Sequence, residues 1–413
     1  IRGAGKDVIV MTEKLFYQDS HLAEFEATVI SCESASSGVL NGKKGDFYSV
    51  ELDRTAFFPE GGGQYADTGV LSGVRVIDVQ ETGGGIFHVT ESPLHPGTTV
   101  TGRIDWEERF MKMQQHSGEH IVSGLIHSRF GYDNVGFHLG SENCTMDFNG
   151  ELTKEQLLEI EFEANRAVWK NLEIQALYPS EEELSQMEYR SKIEIEGQVR
   201  IIVVPGYDIC ACCAPHVVHT GEIGVIKLTN VQRYKGGARV TMLCGIRALK
   251  DYEVKQAQAG EISAMLCAKE NEIAESVRHM KEETVNLKYE LAEREKKLID
   301  LRVGMIPKDG EPVCVFAEDI EGEAMRKLMN LVLEDGHGFC AVFHGDEKSG
   351  FRYVMGSRGT EEKDPIDMRG FLKEFNAKFD GRGGGKPEMV QGTAQGNEPE
   401  IRAWILKKAG EAG

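Results

Sequence analysis

Hydrophobic and polar positions change period several times along the chain, and each change marks a different kind of element. From Leu15 to about Val100 short β-prone pieces recur, at 26–31, 45–52, 74–79 and 85–90, separated by Gly, Asn and Asp turns. That spacing predicts a small barrel or sandwich. After Asp105 the period lengthens: one helix carries His116 and His120, and another, over about 153–170, sets Leu157, Ile160, Phe162, Ala164 and Val168 near one stripe. Strands return at 199–204, stopped by Pro205-Gly206, and a hairpin joins 224–232 to 238–243 around Lys235-Gly236-Gly237.

Between about Glu261 and Arg302, Glu, Lys, Ala and Leu dominate and neither Pro nor Gly occurs. Ile273, Val277, Met280, Leu287, Leu291, Leu298 and Leu301 follow a 4-3 alternation whose remaining slots hold Thr284 and Arg294. The pattern predicts one helix of about 40 residues, roughly 60 Å long, serving as a spacer or dimerisation arm. Lying along its own globular domain is the alternative for such a helix. Beyond Pro307 a last α/β unit is expected, with a strand at 313–317, a helix at 321–333, a strand at 338–343 and a closing glycine-rich stretch.

These periods define an α+β multidomain chain of four segments: a small N-terminal β-barrel (11–105), a two-layer α/β core (106–250), a long coiled-coil-like helical linker (251–305) and a C-terminal α/β domain (306–413). Ile1 to Val10 are set aside, because Met11 is a natural start.

Composition narrows the function. Among 413 residues, 47 Lys and Arg face 67 Asp and Glu, a net charge of −20. That balance disfavours binding nucleic acid through bulk charge, and any such partner must be met by a local basic patch. No run approaches the roughly 18 apolar residues of a membrane helix, and no cationic segment followed by an apolar core opens the chain. A cytoplasmic protein with no membrane partner is expected. Nine cysteines are too sparse for a disulfide scaffold, yet Cys210, Cys212 and Cys213 crowd into one loop, which favours a metal site.

Gln115-His116-Ser117-Gly118-Glu119-His120 puts two imidazoles at i and i+4 on one helix face, a spacing that suits a shared Zn²⁺. Cys212-Cys213-Ala214-Pro215-His216 offers a thiolate and an imidazole four residues apart in a loop. Together His116, His120, Cys212 and His216 form a tetrahedral N₃S set. Cys210 and Cys213 are near enough in sequence to compete. The same His116-x-x-Glu119-His120 also satisfies the pattern of inverted zinc metalloproteases, with Glu119 as general base and Glu194 or Glu196 offered as third ligand. That alternative leaves Cys212, His216 and both glycine-rich motifs without a role.

Three further stretches carry a family resemblance. Thr55-Ala56-Phe57-Phe58-Pro59-Glu60-Gly61-Gly62-Gly63-Gln64, continuing to Asp67-Thr68-Gly69, resembles the glycine motif that opens the editing region of alanyl-tRNA synthetases and their freestanding relatives. The His116/His120 and Cys212/His216 pairs, with Thr220-Gly221-Glu222-Ile223-Gly224, are similar to that family's zinc motifs. Gly383-Gly384-Gly385-Lys386-Pro387 to Gln391-Gly392 resembles the signature of the synthetase's C-terminal domain. In order and extent the chain resembles a freestanding alanyl-tRNA editing protein of the AlaX type, in its long form. It departs from the pattern in two places: the loop reads Cys-Cys-Ala-Pro-His where the family has Cys-Gly-Gly-Thr-His, and Gly136-Phe137-His138 stands where the synthetases commonly carry a glutamine.

The resemblance implies zinc-dependent hydrolysis of mischarged tRNA(Ala), chiefly seryl-tRNA(Ala) and secondarily glycyl-tRNA(Ala). Thr55, Gln64 and His138 are the expected catalytic residues, Thr55 as hydrogen-bond partner of the serine hydroxyl, which alanine would leave unpaired. Gly61, Gly62, Gly63 and Asp67 are expected to bind substrate. Lys373, Lys378, Arg382 and Lys386 form a cationic cluster suited to tRNA phosphate. A homodimer through the long helix or C-terminal domain is a further expectation, and a non-catalytic tRNA-binding module is the competing function.

Overall fold

Exposed and buried residues alternate strictly along Thr99–Ile104, as a barrel strand requires. The computed structural model describes residues 11–40, 43–140, 144–191, 198–360 and 364–412. In it β1 (Glu24–Leu40), β2 (Lys43–Leu52), β3 (Gly69–Leu71), β4 (Val74–Thr82), β5 (Gly85–Thr90) and β6 (Thr99–Ile104) pair in the order β1-β2-β5-β4-β3-β6 and return to β1, closing a barrel. Its interior is apolar, with Val50, Phe57, Leu71, Val76, Val79 and Ile86 essentially without exposure.

Asp105 ends the barrel and α1 (Trp106–Phe130) begins, stopped by Gly131 in the left-handed conformation. Helix α2 (Lys154–Lys170) opens on a Thr153/Gln156 capping box. Both helices pack on a four-stranded antiparallel sheet whose order is β12 (Ile226–Tyr234), β13 (Gly237–Cys244), β8 (Cys144–Phe148) and β7 (Asn134–Leu139). Leu157, Ile160, Ala164 and Val168 of α2 are buried in that core, whereas Phe162 lies on the solvent side of the stripe and packs edge-on against Trp169. A small antiparallel sheet joins β9 (Gln175–Leu177), β10 (Ile201–Val204) and β11 (Asp208–Ala211), and its last strand feeds the cysteine loop.

The chain divides into two compact units, the first ending at Gly260. The single 40-residue helix expected from sequence is two helices: α3 (Gly245–Leu266) ends, Cys267 adopts φ 50°, and α4 (Ile273–Gly304) starts afresh. The Ser263 hydroxyl bonds the Ala268 carbonyl across the break, a side-chain competitor for the backbone that the Glu/Lys/Ala/Leu composition does not reveal. Only the last turns of α4 are covered, where Leu298, Ile299 and Val303 pack on the core of the second unit; Met280, Leu287 and Leu291 stay exposed.

The second unit is built on a five-stranded sheet. Its order is β14 (Val313–Phe316), β15 (Phe339–Asp346), β16 (Gly350–Ser357), β18 (Met389–Ala394) and β17 (Arg382–Lys386), with helices α5 (Glu323–Glu334), α6 (Met368–Lys378) and α7 (Glu398–Ala412). The glycine-rich β17 is the edge strand. No helix among the described residues is long and apolar enough to cross a membrane.

Candidate metal centre

Helix α1 holds His116 and His120 one turn apart, both buried, with ring centroids 5.7 Å apart. The loop after β11 faces them. It is stapled by Arg200, whose Nη1 donates to the carbonyls of Cys212 and Ala214 at 3.0 and 2.8 Å, and by the Cys212 N–H bond to the Arg200 carbonyl. This brings the His216 ring to 5.0 Å from His116 and 4.6 Å from His120. The Nε2 atoms of His116 and His216 each lie 3.4 Å from Cys212 Sγ. One ligand atom from each of the four residues falls within 4.8 Å of the other three.

Each imidazole is also held from behind, by a different group. Gln64 Oε1 lies 3.1 Å from His116 Nδ1, Asp208 Oδ2 lies 2.9 Å from His120 Nδ1, and Ser117 Oγ lies 3.1 Å from His216 Nδ1. Asp208 is itself gripped on both oxygens by Arg190, at 2.7 and 2.8 Å. With Nδ1–H donated backwards, all three Nε2 lone pairs point forward as ligands. Burial opposes the Asp208 charge, yet the bonds from His120 and Arg190 hold its carboxyl below the usual range. Burial, together with His120 and His116, keeps His216 neutral, and burial pushes the Cys212 thiol up. Three imidazoles and one thiol that a cation would deprotonate are the donor set of a tetrahedral divalent site. A second group, His120 with Asp208 and Cys210, is equally tight. Its Asp208 is committed to Arg190 and His120, so it supports the first set.

The glycine motif lies against this cluster. Gly61 and Gln64 exchange both backbone bonds at 3.0 Å, and Gly62 and Gly63 take positive φ in the turn between. A Cβ on Gly63 would meet the Phe137 carbonyl at 2.6 Å, and one on Gly62 would sit 3.3 Å from Cys213 Sγ. Gly62, Gly63 and Cys213 are exposed, and they form the open side of an otherwise buried centre.

Three sequence expectations change. Asp67 does not face a substrate: it is buried, accepts the Phe58 N–H at 2.8 Å, and is paired with Arg109 and Lys112 of α1, so it anchors the glycine turn from below. Thr55 has no exposed surface; its Oγ1 lies 2.8 Å from His88 Nε2 and accepts the Phe57 N–H. His88 donates from Nδ1 to the Val50 carbonyl, which leaves Nε2 as acceptor for the Thr55 proton. The Thr55 hydroxyl is thus engaged both as donor, to His88, and as acceptor, from Phe57. His138 points away from the centre, because strand alternation puts Phe137 and Leu139 on the core face; the Phe137 ring packs 4.8 Å from His116.

Glu119, the base of the protease alternative, is buried and accepts on Oε1 from the Ser123 hydroxyl at 2.7 Å and the Asn134 amide at 2.6 Å, while its Oε2 lies 3.9 Å from His120 Nε2. Glu194 and Glu196 lie outside the described residues. Sequence reasoning missed Ser117, Asp208, Arg190 and Arg200. The available signal was a lone acid four residues before Cys212, inside a β-strand.

In the second unit Lys373 and Lys378 sit on α6, and Arg382 and Lys386 on β17, which α6 packs beside. All four are exposed, and no ion pair engages them among the described residues. Arg382, Gly384 and Lys386 share one face of the strand, with open space over Gly384.

Comparison with known families supplies the class. Residues 4–108 match the class II (A) tRNA synthetase model, 199–244 the second additional domain of threonyl and alanyl tRNA synthetases, and 310–411 the DHHA1 domain. The chain is 30% identical to the mouse alanyl-tRNA editing protein Aarsd1, over 92% of this chain and 93% of that one. It is 27% identical to AlaX-L of Pyrococcus horikoshii, over 96% and 98%. The alanine–tRNA ligase of Ignicoccus hospitalis is 31% identical over 70% of this chain but only 32% of its own length. The chain belongs to the alanyl-tRNA editing protein family.

Proposed function

We propose that this protein is a cytoplasmic trans-editing hydrolase that deacylates mischarged tRNA(Ala), chiefly seryl-tRNA(Ala) and secondarily glycyl-tRNA(Ala), at a zinc centre formed by His116, His120, Cys212 and His216. The observation that carries this reading is the convergence of three imidazole Nε2 atoms and a thiol beneath an exposed glycine turn. A Zn²⁺ bound there would supply positive charge that polarises an ester carbonyl and acidifies a water. The chain's own residues do the rest. Gly62 and Gly63 let the backbone approach the 3′ end closely, and Phe137 closes the wall beside His116. Asp67, with Arg109 and Lys112, keeps the turn in place, and Thr55 with His88 stiffens the strand that leads into it.

The same proposal divides the labour along the chain. Segments 11–105 and 106–250 build the reaction site, 251–305 links, and 306–413 holds the body of the tRNA through Lys373, Lys378, Arg382 and Lys386. The exposed apolar positions of α4 make that helix, with the C-terminal domain, the route to a homodimer.

The test is deacylation of seryl-, glycyl- and alanyl-tRNA(Ala) by zinc-loaded protein beside a His116→Ala, His120→Ala double variant. Release of serine, with alanine spared and activity lost in the variant, is the expected result. Tight tRNA binding without release of any amino acid would make the protein a binding module.

A further inference from the structure

Gln64 is buried to 1% exposure, and its two side-chain atoms have opposite fates. The oxygen is taken: it lies 3.1 Å from His116 Nδ1. The nitrogen has no hydrogen-bond partner among the described residues. Which atom faces His116 follows from the chemistry of the ring. A His116 that offers Nε2 toward Cys212 carries its proton on Nδ1, so the group opposite must be an acceptor. The amide NH₂ is thereby turned away from His116 and locked. The Gln64 carbonyl already accepts the Gly61 N–H. A buried amide donor without an acceptor is costly, and such a group calls for a catalytic role, an ion or an ordered water to account for it. Gly62 and Gly63, the exposed residues of the turn, immediately precede Gln64 in the chain.

We propose that Gln64 Nε2 is the hydrogen-bond donor that stabilises the oxyanion of the ester during hydrolysis, and that the His116–Gln64 bond exists to aim it. This rests on the editing reading given above. Water oxygen bonds to the ester carbonyl carbon as the carbonyl π pair moves onto oxygen, and that oxygen accepts the Gln64 N–H. Collapse restores C=O and breaks the bond to the ribose oxygen. One proton of the attacking water ends on that ribose oxygen, and the carboxylic acid releases the other to solvent. The donor is already oriented before the charge develops, so it gains strength in the transition state rather than in the ground state. Gln64 would therefore appear in kcat more than in KM.

Gln64→Glu separates this role from a merely supporting one. It keeps an acceptor for His116 Nδ1–H and replaces the donor by an oxygen. The expected result at pH 8 is unchanged zinc content and affinity, KM within about threefold, and kcat on seryl-tRNA(Ala) lowered about 100- to 1,000-fold. A seryl-adenosine phosphonate, tetrahedral like the transition state, should bind the native protein more tightly than a planar amide analogue, and Gln64→Glu should lose that preference. Gln64→Met, which removes both atoms, should weaken zinc as well. Native kcat in Gln64→Glu, or retained preference for the phosphonate, overturns the proposal. So does a fall in kcat that saturating zinc restores, since the residue would then only support His116. If the native protein releases no amino acid from any tRNA, the editing reading falls first, while the zinc affinities still report whether Gln64 orders His116.

Discussion

Of the chain's three triple-glycine stretches, Gly61–Gly63 and Gly383–Gly385 each lie in a motif of the family, and the structure uses these two in opposite ways. The first is a turn. Gly62 and Gly63 have positive φ, and a side chain at Gly63 would strike the Phe137 carbonyl. Its surroundings are polar: the His116/His120/Cys212/His216 cluster on one side, the Asp67–Arg109–Lys112 ion pairs beneath, the Thr55–His88 bond in the strand that leads in. The second is an extended edge strand with ordinary φ. Gly383 and Gly385 are required only because the neighbouring strand and the Tyr353 hydroxyl lie close, and Gly384 faces open space. Glycine in the first place lets backbone lie against Cys213, His116 and Phe137; in the second it flattens a surface between two cations. The first region should therefore answer to pH and packing, and the second to salt.

The largest effect expected is on pH. Burial pushes His88 down to about 4 from its ordinary 6.5, so the folded state holds it neutral while the unfolded chain binds a proton below 6.5. Its contribution is complete above pH 6.5 and is lost as pH falls toward 4, by about 3 kcal/mol in all. Chemical unfolding at pH 7 and pH 4.5 should show a fall that His88→Gln largely removes; parallel curves for the two proteins would break the assignment.

Packing comes next. Gly63→Ala meets both a backbone carbonyl and an unfavourable φ, and should cost about 2 kcal/mol of stability. Gly384→Ala should change stability by less than about 0.5 kcal/mol. Equal losses at the two sites, read from midpoints of denaturant unfolding, would erase the contrast drawn here. The smallest effect concerns salt. Arg382→Ala and Lys386→Ala should each reduce the slope of log tRNA affinity against log salt by about 1, leaving kcat at saturating tRNA unaltered. Slopes like the native one would remove β17 from the tRNA interface.

What could be read in advance follows the range of the interaction concerned. The His116/His120 pair was legible because helical spacing alone makes the two rings neighbours, and the Cys212/His216 pair because four residues of loop can turn both toward one point. Barrel strands and the α2 stripe were legible as local periodicity. The supporting groups were not: Ser117, Asp208 and Gln64 reach their histidines across 99, 88 and 52 residues of sequence, a pairing no local period encodes. His138 reads as the polar stand-in for the family's glutamine, but side chains alternate along a strand, so Phe137, one residue away, takes the core face instead. Thr55 and Asp67 sit in the right motif, but the motif's neighbours decide whether a polar group meets ligand or protein. The break at Cys267 escaped notice because the segment holds neither proline nor glycine.

Arg109 and Lys112 have a consequence for how separable the parts of this protein are. Both cations belong to the helix of the editing core, and both are fully buried against an aspartate supplied by the barrel. Expressed without residues 11–105, the core would lose the carboxylate that pairs with Arg109 and would leave Lys112 with Glu108 of its own helix alone, at 3.8 Å. The boundary at Asp105 is thus a seam in secondary structure and not a place where the chain can be cut. Any shortened version that dispenses with the barrel must replace Arg109 and Lys112 in the same step.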